Sequence, residues 1–384
     1  MNCLAWGRGP HIPLLPKGST RICELMDTTT PPKSYVSMAI QEFGSPLRPI
    51  TRPIPTPGPG LALVKLMTCG LCHTDIHVRD GDWETARPSL PRIPGHEGAG
   101  VVAALGEGVT TPAIGTRVGV AWLSDACHLC AACLTGSENL CTHAASGTGF
   151  AADGCMAEYV VVRAEFLCPL PAALSFSQAS PLLCAGVTTF TALKESCVRA
   201  GEWVAILGAG GGLGSLATQY ARAQGFQVLA MDLAEELRSY CMEKLGAHAY
   251  TSTAGKTSAE VVASVKAATG GAGPKAVLII APALSAYALA LDVLAPGGTA
   301  VAVSLPKGGL ASLDIISLVL GKKTLRGSIV GTRADLRDCL AFSVQAGITV
   351  DTHEVPLADV NKAMEALTAG KVVGRIVLRI APDA

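Results

Sequence analysis

The stretch WVAILGAGGGLGSLATQYARAQGFQVLAMD, residues 203–232, decides the fold. It reads as a continuously apolar strand, WVAILG, a glycine-rich turn at Gly208–Gly214, a helix from near Ser215 through Gln224, and a second apolar strand, FQVLAMD. The alternation runs on to about Gly321, through a helix ending at Leu245, AVLIIAP, another helix and TAVAVS. Continuously apolar strands that take turns with helices belong in a parallel sheet covered on both faces. A glycine turn between strand and helix lets the backbone approach a pyrophosphate while the helix N-terminus faces its charge. The spacing from the first glycine is one residue longer than a literal G-x-G-x-x-G, so it is the strand before the turn and the helix after it that mark a dinucleotide site. Asp232 ends the second strand, where an acid accepts hydrogen bonds from the adenine ribose and repels a 2′-phosphate. That favours NAD over NADP. A cap on the next helix is the other role open to Asp232, and Arg238 close behind keeps NADP in view.

Outward from this stretch the texture changes. SMAIQEFG, LALVKLMTCG, GAGVVAALGEGV and GTRVGVAW are short β-rich runs punctuated by Gly and Pro, and long helical periods are absent up to about residue 170. From TLRGSI to GRIVLRI strand and helix return. A length of 384 residues suggests two domains, each with its own core. The first 33 residues hold no apolar period, several prolines and a closing Thr/Pro cluster, which reads as a disordered extension or a misassigned start, with Met26 or Met38 as the real one. Arg8, Lys17 and Arg21 precede the first acid, Glu24, which leaves a mitochondrial presequence as the alternative to a cytoplasmic protein; the prolines oppose the helix such a signal needs.

Composition excludes several partners. Thirty Lys+Arg balance 30 Asp+Glu, so no global field recruits nucleic acid or an anionic membrane. The apolar runs stop well short of the ~20 residues that cross a bilayer. A soluble, core-rich protein is expected.

Cysteine carries the chemistry. Cys127, Cys130, Cys133 and Cys141 stand as C-x-x-C-x-x-C, seven residues, then C, in DACHLCAACLTGSENLC. Four thiolates in so short a span can wrap one tetrahedral Zn²⁺ in a closed structural site. Two disulfides or buried free thiols are the alternatives, but 14 cysteines with no secretory signal read as reduced and metal-binding. A second group of ligand types is scattered: Cys72 in GLCHTDIH, His96 and Glu97 in PGHEGAG, Cys184 in LLCAG. Two thiolates and an imidazole leave a fourth position open, as a catalytic zinc requires. Spacing alone does not group them, and singly Cys184 reads as a core thiol and His96 as a hydrogen-bonded loop residue.

In order, GLCHTDIHVRDGDW, PGHEGAGVV, the four-cysteine lobe, LLCAGVTTF, GAGGGLGSLATQYA, GSIVGTRADLRD and GRIVL resemble the zinc-dependent medium-chain alcohol dehydrogenases, closest to the tetrameric fungal and bacterial ethanol-oxidising branch. The resemblance runs from about Tyr35 to about Ile380 and leaves out the extension at 1–33. It implies an α/β protein of two domains: a mainly β GroES-like catalytic domain from 34–184 and 327–384, and a Rossmann NAD-binding domain, a doubly wound parallel sheet, at 185–326. It implies two Zn²⁺ per subunit, the catalytic one on Cys72, His96 and Cys184 and the structural one on Cys127, Cys130, Cys133 and Cys141. Glu97 then lies behind the metal and Asp75 holds the ring of His96. The alcohol proton leaves through Thr74, a nicotinamide ribose hydroxyl and His77. Cofactor contacts are implied at His73, Gly211, Gly212, Leu213, Gly214, Asp232, Val303, Leu305, Ser328, Val330 and Arg375, with His73 and Arg375 on the pyrophosphate. Trp83, Trp122, Leu305 and Ile329 are implied to shape the substrate pocket. Leu305 and Ile329 depart from the methionine and the aromatic of the ethanol-oxidising relatives, and Leu237 stands where they carry a ribose-contacting lysine. The chemistry is untouched by these changes. A larger alcohol or aldehyde, as in a tailoring dehydrogenase of specialised metabolism, is the second hypothesis, and a catalytically silent dinucleotide-binding protein the third. The family also implies a homotetramer or homodimer through the Rossmann sheet edge.

Overall fold

A computed structural model describes residues 33–83, 86–144, 147–306 and 312–381. The extension read at 1–33 therefore lies, but for Lys33, outside the described residues.

Short alternating runs build the first half. β1 (Ser34–Ala39) and β2 (Arg48–Pro53) pair antiparallel, Ser34 opposite Pro53 and Ala39 opposite Arg48. β3 (Leu61–Gly70) leads into α1 (His73–Asp80), which stops at Gly81 in the left-handed conformation that glycine adopts without strain. β4 (Gly98–Leu105), β5 (Arg117–Val120), the short α2 (Ala131–Leu134), β6 (Tyr159–Arg163) and β7 (Cys168–Pro169) follow. β3 is the hub, flanked antiparallel by β4 and β6 and, through Val377–Arg379, by a strand from the end of the chain.

A helical segment then links the halves. α3 (Phe176–Pro181) passes into a π turn at Leu182–Gly186 and on into α4 (Val187–Glu195). Pro181 has no N–H to donate to the preceding turn, which fits a helix that widens just after it. The expected domain boundary at 184/185 falls inside this continuous segment.

β8 (Trp203–Leu207), α5 (Gly212–Ala223), β9 (Gln227–Asp232), β10 (Ala249–Ser252), α6 (Ser258–Ala268), β11 (Ala276–Ile279), α7 (Leu284–Val293), β12 (Thr299–Ala302), α8 (Ile315–Leu320) and β13 (Thr324–Gly327) make the second sheet. Its six strands are all parallel, in the order β10-β9-β8-β11-β12-β13. The order reverses between β8 and β11, which opens a crevice at the carboxyl ends where dinucleotides bind in such sheets. The helix expected before Leu245 is a 3₁₀ turn at Glu235–Leu237 and a π turn at Tyr240–Lys244. α5 begins at Gly212, three residues earlier than the apolar pattern indicated, because glycines give no periodic signal where the first turn forms.

α9 (Arg333–Gln345), β14 (Thr352–Pro356), α10 (Val360–Thr368) and β15 (Arg375–Arg379) return the chain to the first sheet, whose order is β14-β15-β3-β4-β5-β7 with β6 on β3. One apolar cluster runs from Ala99 and Leu170 through Leu182, Leu183 and Val187 to Val204, Ile206 and Tyr220, so the linking helix is buried between both sheets. Among the described residues no helix is long and apolar enough to cross a membrane.

Candidate active site and metal centres

The scattered ligand types are brought together by strand pairing. β3 and β4 are antiparallel neighbours with Cys69 opposite Gly98, so Cys72, just beyond one, and His96 and Glu97, just before the other, arrive at the same end of the sheet. The π turn carries Cys184 to meet them. One ligand atom from each of Cys72, His96, Glu97 and Cys184 lies within 4.8 Å of the others, and all four residues are buried. Asp75, also buried, ties the group together. Its Oδ2 accepts from the Cys72 backbone N–H at 3.0 Å, its Oδ1 accepts from Gly95 N–H at 3.0 Å, and Oδ1 lies 3.4 Å from His96 Nδ1. The carboxylate thus faces Nδ1 and leaves Nε2 as the ring's free ligand atom.

Charge is poised for a cation here. A hydrogen bond from the Cys184 thiol, helped by His96, holds the Cys72 thiol well below its usual pKa, while the same bond and burial push Cys184 up. Burial opposes a charged His96 ring, but Asp75 and Cys72 outweigh it and raise its pKa. Burial pushes the Glu97 carboxyl up to about 7 against the pull of Arg375. Arg375 donates from its terminal nitrogen to Glu97 Oε1, while Glu97 Oε2 and Arg375 Nε have no hydrogen-bond partner. A buried polar atom without a partner is costly, so a group that fills this position is expected. Gly70 is required beside it, since a Cβ there would collide with the Glu97 carboxylate.

The glycine turn adjoins this cluster through Arg375. A Cβ on Gly212 would strike the Arg375 side chain, and one on Gly214 would strike the Gly208 carbonyl, so both glycines are fixed by close approach. Gly211 caps α5 with no side-chain acceptor, leaving the first helix amides open to an anion, with Leu213 in that first turn. Asp232 does not cap a following helix. Its Oδ2 accepts from Gly210 N–H at 2.8 Å and its Oδ1 from Leu233 N–H at 2.7 Å, so the carboxylate anchors the turn. Arg238 pairs with Glu235 and lies over the Tyr250 ring at 5.0 Å. Leu237 packs toward Gly210.

The other residues expected at the site lie on α1, around Trp122, and just after β12 and β13. Thr74 and His77 lie three apart on α1 and so share a face; His77 Nδ1 is 2.7 Å from Asp82 Oδ2, and His73 is exposed. Trp122 meets His96 edge to face at 5.3 Å. Trp83 and Trp122 both pack on Phe150, at 5.5 and 6.0 Å, which completes an aromatic wall. Phe150 was not anticipated, because nothing in its sequence context separates it from an ordinary core aromatic. Val303, just beyond β12, is half-buried, while Leu305 and Ile329 are 58 % and 50 % exposed. Ser328 follows β13 with its Oγ buried and unpartnered, and Val330 sits at φ 38°, a left-handed backbone that a β-branched side chain resists.

The four-cysteine lobe is separate and more exposed. Cys130 and Cys133 Sγ are 3.6 Å apart, and Cys127–Cys133 and Cys130–Cys141 are each 4.0 Å apart. A tetrahedron with bonds of about 2.3 Å has edges of about 3.8 Å, so the spacing suits one zinc. Cys127 N–H donates to Cys141 Sγ and Cys130 N–H to Cys127 Sγ, both at 3.3 Å, as thiolates favour. The first of these bonds leads the pull of the Cys141 thiol down to about 6. No disulfide joins the described cysteines.

Two family models match the chain: "Alcohol dehydrogenase GroES-like domain" over residues 58–172 and "Zinc-binding dehydrogenase" over 212–345. An alcohol dehydrogenase of Rhizobium meliloti is 42 % identical over 90 % of this chain and 98 % of its own length. Alcohol dehydrogenase 1 of Neurospora crassa is 38 % identical over 90 % of this chain and 97 % of its own. Among solved structures, the alcohol dehydrogenase of Aeropyrum pernix superposes with a TM-score of 0.81 at 27 % identity, covering 90 % of this chain and 100 % of that one. The acetophenone reductase of Geotrichum candidum in complex with NAD gives a TM-score of 0.81 at 25 % identity, covering 93 % and 100 %.

Proposed function

This chain belongs to the zinc-dependent medium-chain alcohol dehydrogenase family and is an oxidoreductase acting on alcohols, and from that premise we propose that it works with zinc and NAD and that its residues divide the work as follows. Cys72, His96 and Cys184 hold the catalytic zinc and the four lobe cysteines a second, structural one, giving two per subunit. The observation that carries this is the buried convergence of Cys72, His96, Glu97 and Cys184 beside the glycine turn. When bound, zinc supplies the Lewis acidity that eases loss of the alcohol proton, and NAD supplies the acceptor for hydride.

The chain's own side chains do the rest. Asp75 fixes the His96 ring so that Nε2 faces the two cysteines. Glu97 balances Arg375 behind the cluster, and Arg375, lying between Glu97 and Gly212, sets the height of the glycine turn over it. Thr74 Oγ1 takes the alcohol proton toward solvent and His77 passes it on at Nε2, Asp82 holding Nδ1. Trp83, Trp122 and Phe150 exclude water from one side of the pocket. His73, Gly211, Leu213, Val303, Leu305, Ser328 and Val330 complete the cofactor cleft; the orphaned Ser328 Oγ supports a polar group of the cofactor there. Asp232 reads the adenine ribose. We divide the molecule accordingly, 34–184 with 327–384 as catalytic domain and 185–326 as NAD domain.

Asp232→Gly is expected to weaken NAD and relax discrimination against NADP, because it removes an acceptor, a charge facing the 2′-phosphate and the anchor of Gly210. The ratio of kcat/KM for the two cofactors measures this; an unchanged ratio would show that Asp232 does not read the ribose.

Leu305 and Ile329, aliphatic and open to solvent, support an alcohol larger than ethanol. Each further buried methylene contributes about 0.8 kcal/mol where the pocket accepts it, so kcat/KM should rise along a series of primary alcohols before falling. A monotonic fall from ethanol would return the chain to the ethanol-oxidising type. Oligomerisation as a homodimer or homotetramer is supported by the edge strand β13 and by Ile315, Ile316, Val319 and Leu320 of α8, the last 82 % exposed; light scattering decides it. The free thiols support a reducing compartment, for which we take the cytoplasm, with the mitochondrial matrix as the alternative.

A further inference from the structure

The turn Glu138–Leu140 lies between Cys133 and Cys141, so a single ion held by both cysteines would fix where that turn sits. From it two side chains reach the segment after β13. Asn139 Nδ2 donates to the Ile329 carbonyl at 3.1 Å. Glu138, 13 % exposed, accepts from Arg333 through both carboxylate oxygens, at 2.9 Å from Nε and 2.6 Å from the terminal nitrogen, and accepts the Arg333 backbone N–H at 3.0 Å. That amide opens α9, where a carboxylate also meets the favourable end of the helix dipole. The Arg333 guanidinium lies over Phe166 at 4.4 Å, and Phe166 packs with Leu123 and Ala126 against Cys133 and Cys141.

These contacts bracket the strained residue. Val330 stands between Ile329 and Arg333, the two points the lobe holds, and Gly331 is pressed on α4, where a Cβ would come within 2.8 Å of Val187 and 2.7 Å of Thr191. Val330 also shares a small cavity with Trp122 and Leu183, the residues that touch His96 and precede Cys184. A β-branched residue keeps a left-handed backbone only where its surroundings over-determine it. Part of those surroundings, at Ile329 and Arg333, comes from the four-cysteine lobe.

We propose that Glu138 and Asn139 are positioning residues through which the filled four-cysteine site holds Ser328–Arg333 against the cofactor cleft, so that the lobe sets NAD affinity as well as local stability. This rests on the cofactor cleft proposed above.

The test uses the zinc-loaded full-length protein. Glu138→Ala removes the charged acceptor, and because bonds to charged groups are the stronger ones, NAD dissociation by isothermal titration should weaken about tenfold or more. KM for NAD should rise more than kcat falls, two zinc ions per subunit should remain, and Glu138→Gln, which keeps an acceptor of the same shape, should recover part of the affinity. Arg333→Met breaks the same pair from outside the lobe and decides the matter should Glu138→Ala shed its zinc. NAD affinity unchanged in Arg333→Met, or in a zinc-replete Glu138→Ala, overturns the proposal. Wild type that does not bind NAD overturns the cofactor reading itself, which separates the two failures.

Discussion

Cys184→Ser is expected to abolish alcohol oxidation while leaving the protein folded. The substitution removes one of three proposed protein ligands to the catalytic zinc, and a hydroxyl is a far poorer ligand than a thiolate for this borderline-soft ion. Lewis-acid assistance is worth several kcal/mol, each 1.36 kcal/mol being tenfold in rate, so kcat/KM should fall by roughly a thousandfold or more. Zinc should drop from two ions per subunit to one. The thermal midpoint should shift little, since the site is stabilised by Asp75 and by the core around Leu182 and Leu183 as well. Activity within tenfold of wild type would show that Cys184 is a core thiol and no ligand.

Cys130→Ser is expected to do the reverse, with the structural loss coming first. Metal binding at structural Cys sites contributes on the order of 10 kcal/mol of folding free energy in small peptides, and among the described residues the apolar cluster behind the lobe is small, Leu123, Ala126 and Phe166. One zinc per subunit should be lost with a marked fall in melting temperature, and loss of NAD affinity should follow through Glu138. Retention of two zinc ions and of the wild-type melting temperature would refute the four-thiolate assignment.

How much of this was legible depends on how local each signal is. The glycine turn between two apolar strands, and four cysteines within fifteen residues, are local, and both stand where the pattern put them. The second ligand group was not legible from spacing, because its members meet only once β3 and β4 pair and the linking helix folds over them; resemblance supplied the grouping. The sequence offers Asp232 a ribose or a helix cap; the cap role falls away and the carboxylate holds Gly210 instead, a contact that needs β8 and β9 side by side. The Glu138–Arg333 pair joins residues 195 apart, and no periodicity reports such a contact. Taken singly, Cys184 reads as a core thiol, because an apolar run hides a π turn, a matter of backbone geometry after Pro181 and not of composition; in the sequence only the resemblance makes it a ligand.

The central claim is that Cys72, His96 and Cys184 form a zinc site working with NAD on an alcohol, and one measurement addresses it directly. Purified protein is supplied with NAD and a panel of primary and secondary alcohols, and NADH formation is followed before chelation, after removal of zinc, and after zinc is restored. The account predicts NADH formation that is lost with the metal and returns with it. Protein that keeps two zinc ions per subunit and binds NAD, yet forms no NADH from any alcohol nor consumes it with the matching aldehydes and ketones, would contradict it.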